Sequence, residues 1–172
     1  MIDIDKHWEH LEELAEAEQL RSITIVPKVP PGDLSPDFIE YMQASRSAEF
    51  ARRFSFVLLG MVHFHPQCII YVDSDDEEFY QRHPGLASDL DVRDVDQDKL
   101  ESYIHAVMGD REPRMVFHFT ELDILVRLTG GLDNDIYGED PQFDAMLSRL
   151  VASQGLFLET YENIWAAKPD EA

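Results

Sequence analysis

The chain predicts a single compact α+β domain, in which a small, mostly antiparallel sheet is packed by about five helices. Three observations carry this expectation. Amphipathic stretches and short β-branched runs occur in mixed order, without the regular strand–helix alternation of a doubly wound sheet. The 172 residues suit one domain, and no Gly/Ser linker or internal repeat divides them. Residues 1–172 are therefore one unit, with 1–2 and 167–172 expected to fray. An apolar fraction of 44% with ten Phe supplies a core and excludes wholesale disorder.

The first helix spans Asp3 to Arg21, with Trp8, Leu11, Leu14 and Ala15 near one face and Glu9, Glu12, Glu13, Glu16 and Glu18 over the rest. Ser22 to Val26 is β-branched and predicts a strand, after which Pro27, Pro30, Pro31 and Gly32 make a loop. A second helix opens with Ser35 as N-cap and Pro36 at its first position. Phe38, Ile39, Met42, Phe50 and Phe54 form its apolar side.

The uncharged stretch Phe54 to Val72 predicts two buried strands, about 55–64 and 68–72, turning at His65-Pro66-Gln67. Its polar, helix-breaking centre argues against a membrane span. A short acidic helix then runs from about Asp73 to His83, and 86–96 form a loop. A helix over about 97–108, capped by Asp94 or Asp96, places Leu100, Tyr103, Ile104 and Val107 on one side. Arg114 to Phe119 is a strand. Thr120 to Asp123 resembles a capping box and predicts a helix ending at Gly130-Gly131. Residues 132–139 form an acidic loop, Asp140-Pro141 begins a helix that Gly155 stops, and Leu156 to Tyr161 suits strand or helix.

Charge bounds the function. Thirty-five acids against fourteen bases give a net charge of -21, which argues against direct binding of a phosphate backbone. The lone Cys68 excludes a disulfide within the chain, and its apolar setting suits inert core. No Lys/Arg stretch leads an apolar run at Met1, so the expected location is cytoplasmic. There is no Gly-x-Ser-x-Gly elbow and no phosphate-cradling glycine loop. Arg46, Arg52 and Arg53 concentrate positive charge, which suits neutralising nearby acids.

The acids gather in two windows. Asp73, Asp75, Asp76, Glu77, Glu78, Asp89, Asp91, Asp94, Asp96 and Asp98 face only Arg82 and Arg93 within their segment. Asp133, Asp135, Glu139, Asp140 and Asp144 have no base among them. An electronegative patch of this kind accelerates docking on a basic partner and rejects acidic competitors. A solvated face or salt adaptation would scatter the acids instead. The leading expectation is thus a non-enzymatic acidic inhibitor, such as a toxin-neutralising immunity protein or a nucleic-acid mimic. Its partner would be a basic toxin or nucleic-acid-binding protein, and it would need no cofactor. Trp8, Tyr80, Tyr137 and Trp165 flank the acids as candidate anchors.

The alternative is a small metal-dependent enzyme or metal-binding domain. His63 and His65 would share one face of a strand, and with His118, aided by Glu121 or Asp123, would hold Zn or Fe. Asp133-Asn-Asp135-Ile-Tyr137-Gly138 also places oxygens at the first, third and fifth positions of a calcium loop. Its twelfth position is Asp144 instead of Glu, and Asp140-Pro141 starts a helix too early for that loop.

Overall fold

The computed structural model describes residues 4–16, 19–27, 36–74, 77–86, 90–109, 114–128 and 130–162. Along the chain run α1 (Ile4–Ala15), β1 (Gln19–Thr24), α2 (Pro36–Phe64), β2 (Cys68–Asp73), α3 (Glu77–Arg82) and β3 (Leu90–Asp91). A 3-10 turn (Val92–Asp94) leads to α4 (Gln97–Gly109), β4 (Arg114–Phe119), β5 (Ile124–Leu128), β6 (Asp133–Tyr137), α5 (Pro141–Ser153) and β7 (Phe157–Glu162). The α+β class holds, but the sheet is larger than expected. Its seven strands are ordered β3-β2-β4-β5-β6-β1-β7, and every described pairing is antiparallel.

Period-2 alternation divides the sheet into two unlike faces. Cys68, Ile70 and Val72 of β2, Met115, Phe117 and Phe119 of β4, and Ile124, Val126 and Leu128 of β5 point into the main core. There they meet Phe50, Phe54, Val57, Leu58 and Met61 of α2, with Ile104 of α4 and Phe143 and Leu147 of α5. The residues between them line the other face, where Tyr71, Leu125 and Tyr137 form a smaller cluster with Leu14 and Ala15 of α1. One face therefore carries the layer of α2, α4 and α5, and α1 lies on the other.

Three expected elements are overturned. Residues 55–64 continue α2 instead of forming a strand. Phe50, Phe54, Val57, Leu58 and Met61 recur at helical spacing and are buried, while Phe56 and Phe64 point outward. The outward aromatics are what made the stretch resemble a two-sided buried strand. Thr120 to Asp123 start no helix: they turn β4 into β5, with Phe119 opposite Ile124. The acidic loop at 132–139 is mostly β6, because Asn134 and Ile136 alternate inward against Asp133 and Asp135.

Smaller shifts follow the same logic. The first helix ends at Ala15, and β1 takes over at Gln19, earlier than Ser22. The loop at 86–96 contains β3 and the 3-10 turn, and Leu156 to Tyr161 resolves as a strand. Helix α4 buries Leu100, Tyr103, Ile104 and Val107 as expected. The carboxylate of Asp140 accepts from the amides of Gln142 (3.0 Å) and Phe143 (2.8 Å), which fixes the start of α5. Gly155, at a φ of 63°, ends that helix in a conformation glycine adopts freely. Among the described residues no helix is long and apolar enough to cross a membrane.

Candidate functional site

Among the described residues the two acidic windows lie on separated strands. Asp91 is at the β3 edge and Asp135 is on β6, with β2, β4 and β5 between them. Several of these acids serve the fold. Asp91 accepts the Arg93 amide (3.0 Å) and pairs with its guanidinium. The hydrogen bond from the Arg93 guanidinium, opposed by partial burial, holds the Asp91 carboxyl below its usual range. Asp96 accepts from the amide of Asp98 (3.0 Å) at the start of α4, and Asp140 caps α5. Asp135 pairs with Arg127 at 2.6 Å, and Asp144 pairs with Arg21. Glu77, Glu78, Asp94, Asp98, Asp133 and Glu139 are exposed. Asp75, Asp76, Asp89 and Trp165 lie outside the described residues, as do the side chains of Asp73 and Trp8. Tyr137 belongs to the small cluster and Tyr80 packs against the main core, so neither is a free anchor. The calcium pattern is not a loop, since Asp133 to Tyr137 are strand and Asp144 is engaged by Arg21.

A different carboxylate surface emerges on the α1 side. Leu14 and Ala15 hold α1 against the sheet, which turns Glu9, Glu12, Glu13 and Glu16 outward. Glu13 keeps 79% of its side chain exposed. Among the described residues Glu9, Glu12 and Glu16 have no ion-pair partner. Lys6 is the one base in α1. On the same face of the sheet, register places Asp135, Ser22 and Glu159 in one row, and Asp133, Thr24 and Phe157 in the next. Five of the described bases belong to the opposite layer, Arg46, Arg52 and Arg53 on α2, Lys99 on α4 and Arg149 on α5, while Arg114 of β4 and Arg127 of β5 alternate onto the α1 face. Arg46 and Arg53 both pair with Glu49, as neutralisation requires.

The histidines separate as well. His63 occupies the last turn of α2 and is exposed, so the expected shared strand face with His65 does not exist. His65 follows the helix and packs against Phe119 (6.3 Å between ring centroids) and Phe143 (5.5 Å), on the main-core side. His118, next to Phe119 on β4, projects to the other face. It meets His10 of α1, a residue the sequence reading passed over. Asp123 joins the pair: its Oδ1 lies 2.6 Å from Nε2 of His10 and 3.2 Å from Nε2 of His118. Partial burial disfavours the Asp123 anion, but hydrogen bonds from both imidazoles outweigh it and hold the carboxyl below its usual range.

The turn fixes Asp123 in place. Its φ of 54° is left-handed, a conformation Asp tolerates better than most residues. A Cβ on Gly138 would come within 2.5 Å of the Asp123 carbonyl oxygen, so only glycine permits that approach. Cys68 is buried, and burial first, then the Asp91 charge, pushes its thiol far above the reactive range. Comparisons of the chain with family models, curated proteins and solved structures find no match.

Proposed function

We propose that this chain is a non-enzymatic acidic binding protein that occupies the positive surface of a basic macromolecule, through the face carrying α1. The observation that supports this reading is the set of outward glutamates at α1, Glu9, Glu12 and Glu16, which have no ion-pair partner among the described residues. Solvated, uncompensated carboxylates steer a cationic partner over distances of about a Debye length, roughly 8–10 Å. Acids already neutralised by Arg93, Arg127 or Arg21 contribute less to that field. The docking surface proposed here is the α1 side, apart from the window Asp73 to Asp98 where the sequence concentrates acid. The partner is a basic toxin or a nucleic-acid-binding protein, blocked by occupancy and charge complementarity.

Capture from the source cells, at low and then high salt, identifies the partner. Two triple variants then test the surface: Glu12→Lys/Glu13→Lys/Glu16→Lys on α1, and Asp94→Lys/Asp96→Lys/Asp98→Lys beside α4. The α1 variant is expected to slow association at least about 10-fold at low salt, and the other only slightly. Equal effects, or a larger loss from the second variant, would defeat the proposal.

A further inference from the structure

We propose that His10, His118 and Asp123 form a binding site for a divalent transition metal ion of the imidazole-preferring kind, Zn²⁺ or Fe²⁺. The site shares α1 with the proposed docking surface, but its metal chemistry does not rest on the partner-binding reading. It joins elements distant in sequence: α1 supplies one imidazole, β4 the second, and the β4–β5 turn the carboxylate. The candidate ligand atoms all lie within 4.8 Å of one another. Around a tetrahedral ion with bonds of about 2.0–2.1 Å, neighbouring ligand atoms stand about 3.3 Å apart. The His118–Asp123 separation of 3.2 Å already matches that spacing. The His10–Asp123 separation of 2.6 Å must open by some tenths of an ångström, and the His10 side chain, 41% exposed, has room to move.

Two further features suit a metal. His118 is buried at 4% exposure, whereas Asp123 faces solvent, so the site is held on the protein side and open on the other. Three protein ligands with an open position are the usual donor set of reactive zinc centres and of two-histidine, one-carboxylate iron centres. Behind His10, its Nδ1 lies 3.9 Å from the Glu13 carboxylate. A metal on Nε2 places the ring proton on Nδ1; at 3.9 Å the Glu13 carboxylate makes no hydrogen bond to it, but its charge favours that proton. With one oxygen donor against two nitrogens, the set disfavours Ca²⁺ and Mg²⁺.

The test titrates the full chain, freed of metal, with Zn²⁺ alone and, without oxygen, with Fe²⁺ alone, by calorimetry. One equivalent of at least one ion is expected to bind, and the relative affinities distinguish the two. His10→Ala and Asp123→Asn are expected to weaken binding at least about 100-fold, since even the loss of a residue that orients a ligand costs 10–100-fold. Both altered side chains are partly exposed, and Asn accepts the left-handed turn at 123, so both variants should fold. His63→Ala is expected to bind as the native chain does. Failure of both ions to bind the native chain at one equivalent would overturn the proposal. So would native affinity in His10→Ala and Asp123→Asn.

Discussion

Tyr137 shows how one residue couples chemistry to the fold. It is buried against Leu125, and burial first, then the Asp135 charge, push its phenol up to about 12. Its neutral form is thus favoured by folding. Between pH 10 and 12 the unfolded chain loses this proton before the folded chain does. Stability from this group is complete below pH 10 and is lost as pH rises through about 12, a term of the order of 2 kcal/mol. Denaturant melts at stepped pH should show this fall, and Tyr137→Phe should flatten it. Gly138 supplies a second test at this scale. Gly138→Ala drives a methyl into the Asp123 carbonyl and holds a positive φ, so it should cost about 1–3 kcal/mol in urea melts.

Elements were legible where period and punctuation agreed. The expected helix at 97–108 and strand at Arg114 to Phe119 appear almost as drawn, and Asp140-Pro141 and Gly155 bound α5. Elsewhere local signals misled. Phe56 and Phe64 look like core, yet they are 54% and 58% exposed on the outer side of α2. Phe54→Ala should therefore cost about 3–5 kcal/mol in chemical unfolding, and Phe56→Ala about 0.5 kcal/mol or less. The acidic character of Asp133 and Asp135 hid β6, because the base that pairs Asp135, Arg127, comes from the neighbouring strand β5. The site at Asp123 was only half visible. His118 and Asp123 were read as candidates, but the third member comes from α1, and no spacing within the chain encodes a contact across 113 residues. His63 and His65 failed as partners for a simple reason: one ends a helix, and the other packs on the core side of the sheet.

At the scale of the molecule, a charge of -21 is distributed with a sense. The layer of α2, α4 and α5 holds Arg46, Arg52, Arg53, Lys99 and Arg149, and the α1 side holds Glu9, Glu12 and Glu16, which have no ion-pair partner among the described residues. A sequence shows how many acids a segment has, but pairing across the fold decides which remain available. That is why the window from Asp73 to Asp98, dense in acids, yields part of its field to Arg93 and to the caps of the 3-10 turn and α4. Binding should weaken steeply with added salt. The most direct measurement is amide hydrogen exchange of the chain, free and bound to its captured partner. The expected result is added protection in α1 (Ile4–Ala15), β6 (Asp133–Tyr137) and β7 (Phe157–Glu162). Protection confined to α2, α4 and α5, with the α1 side unchanged, would contradict it.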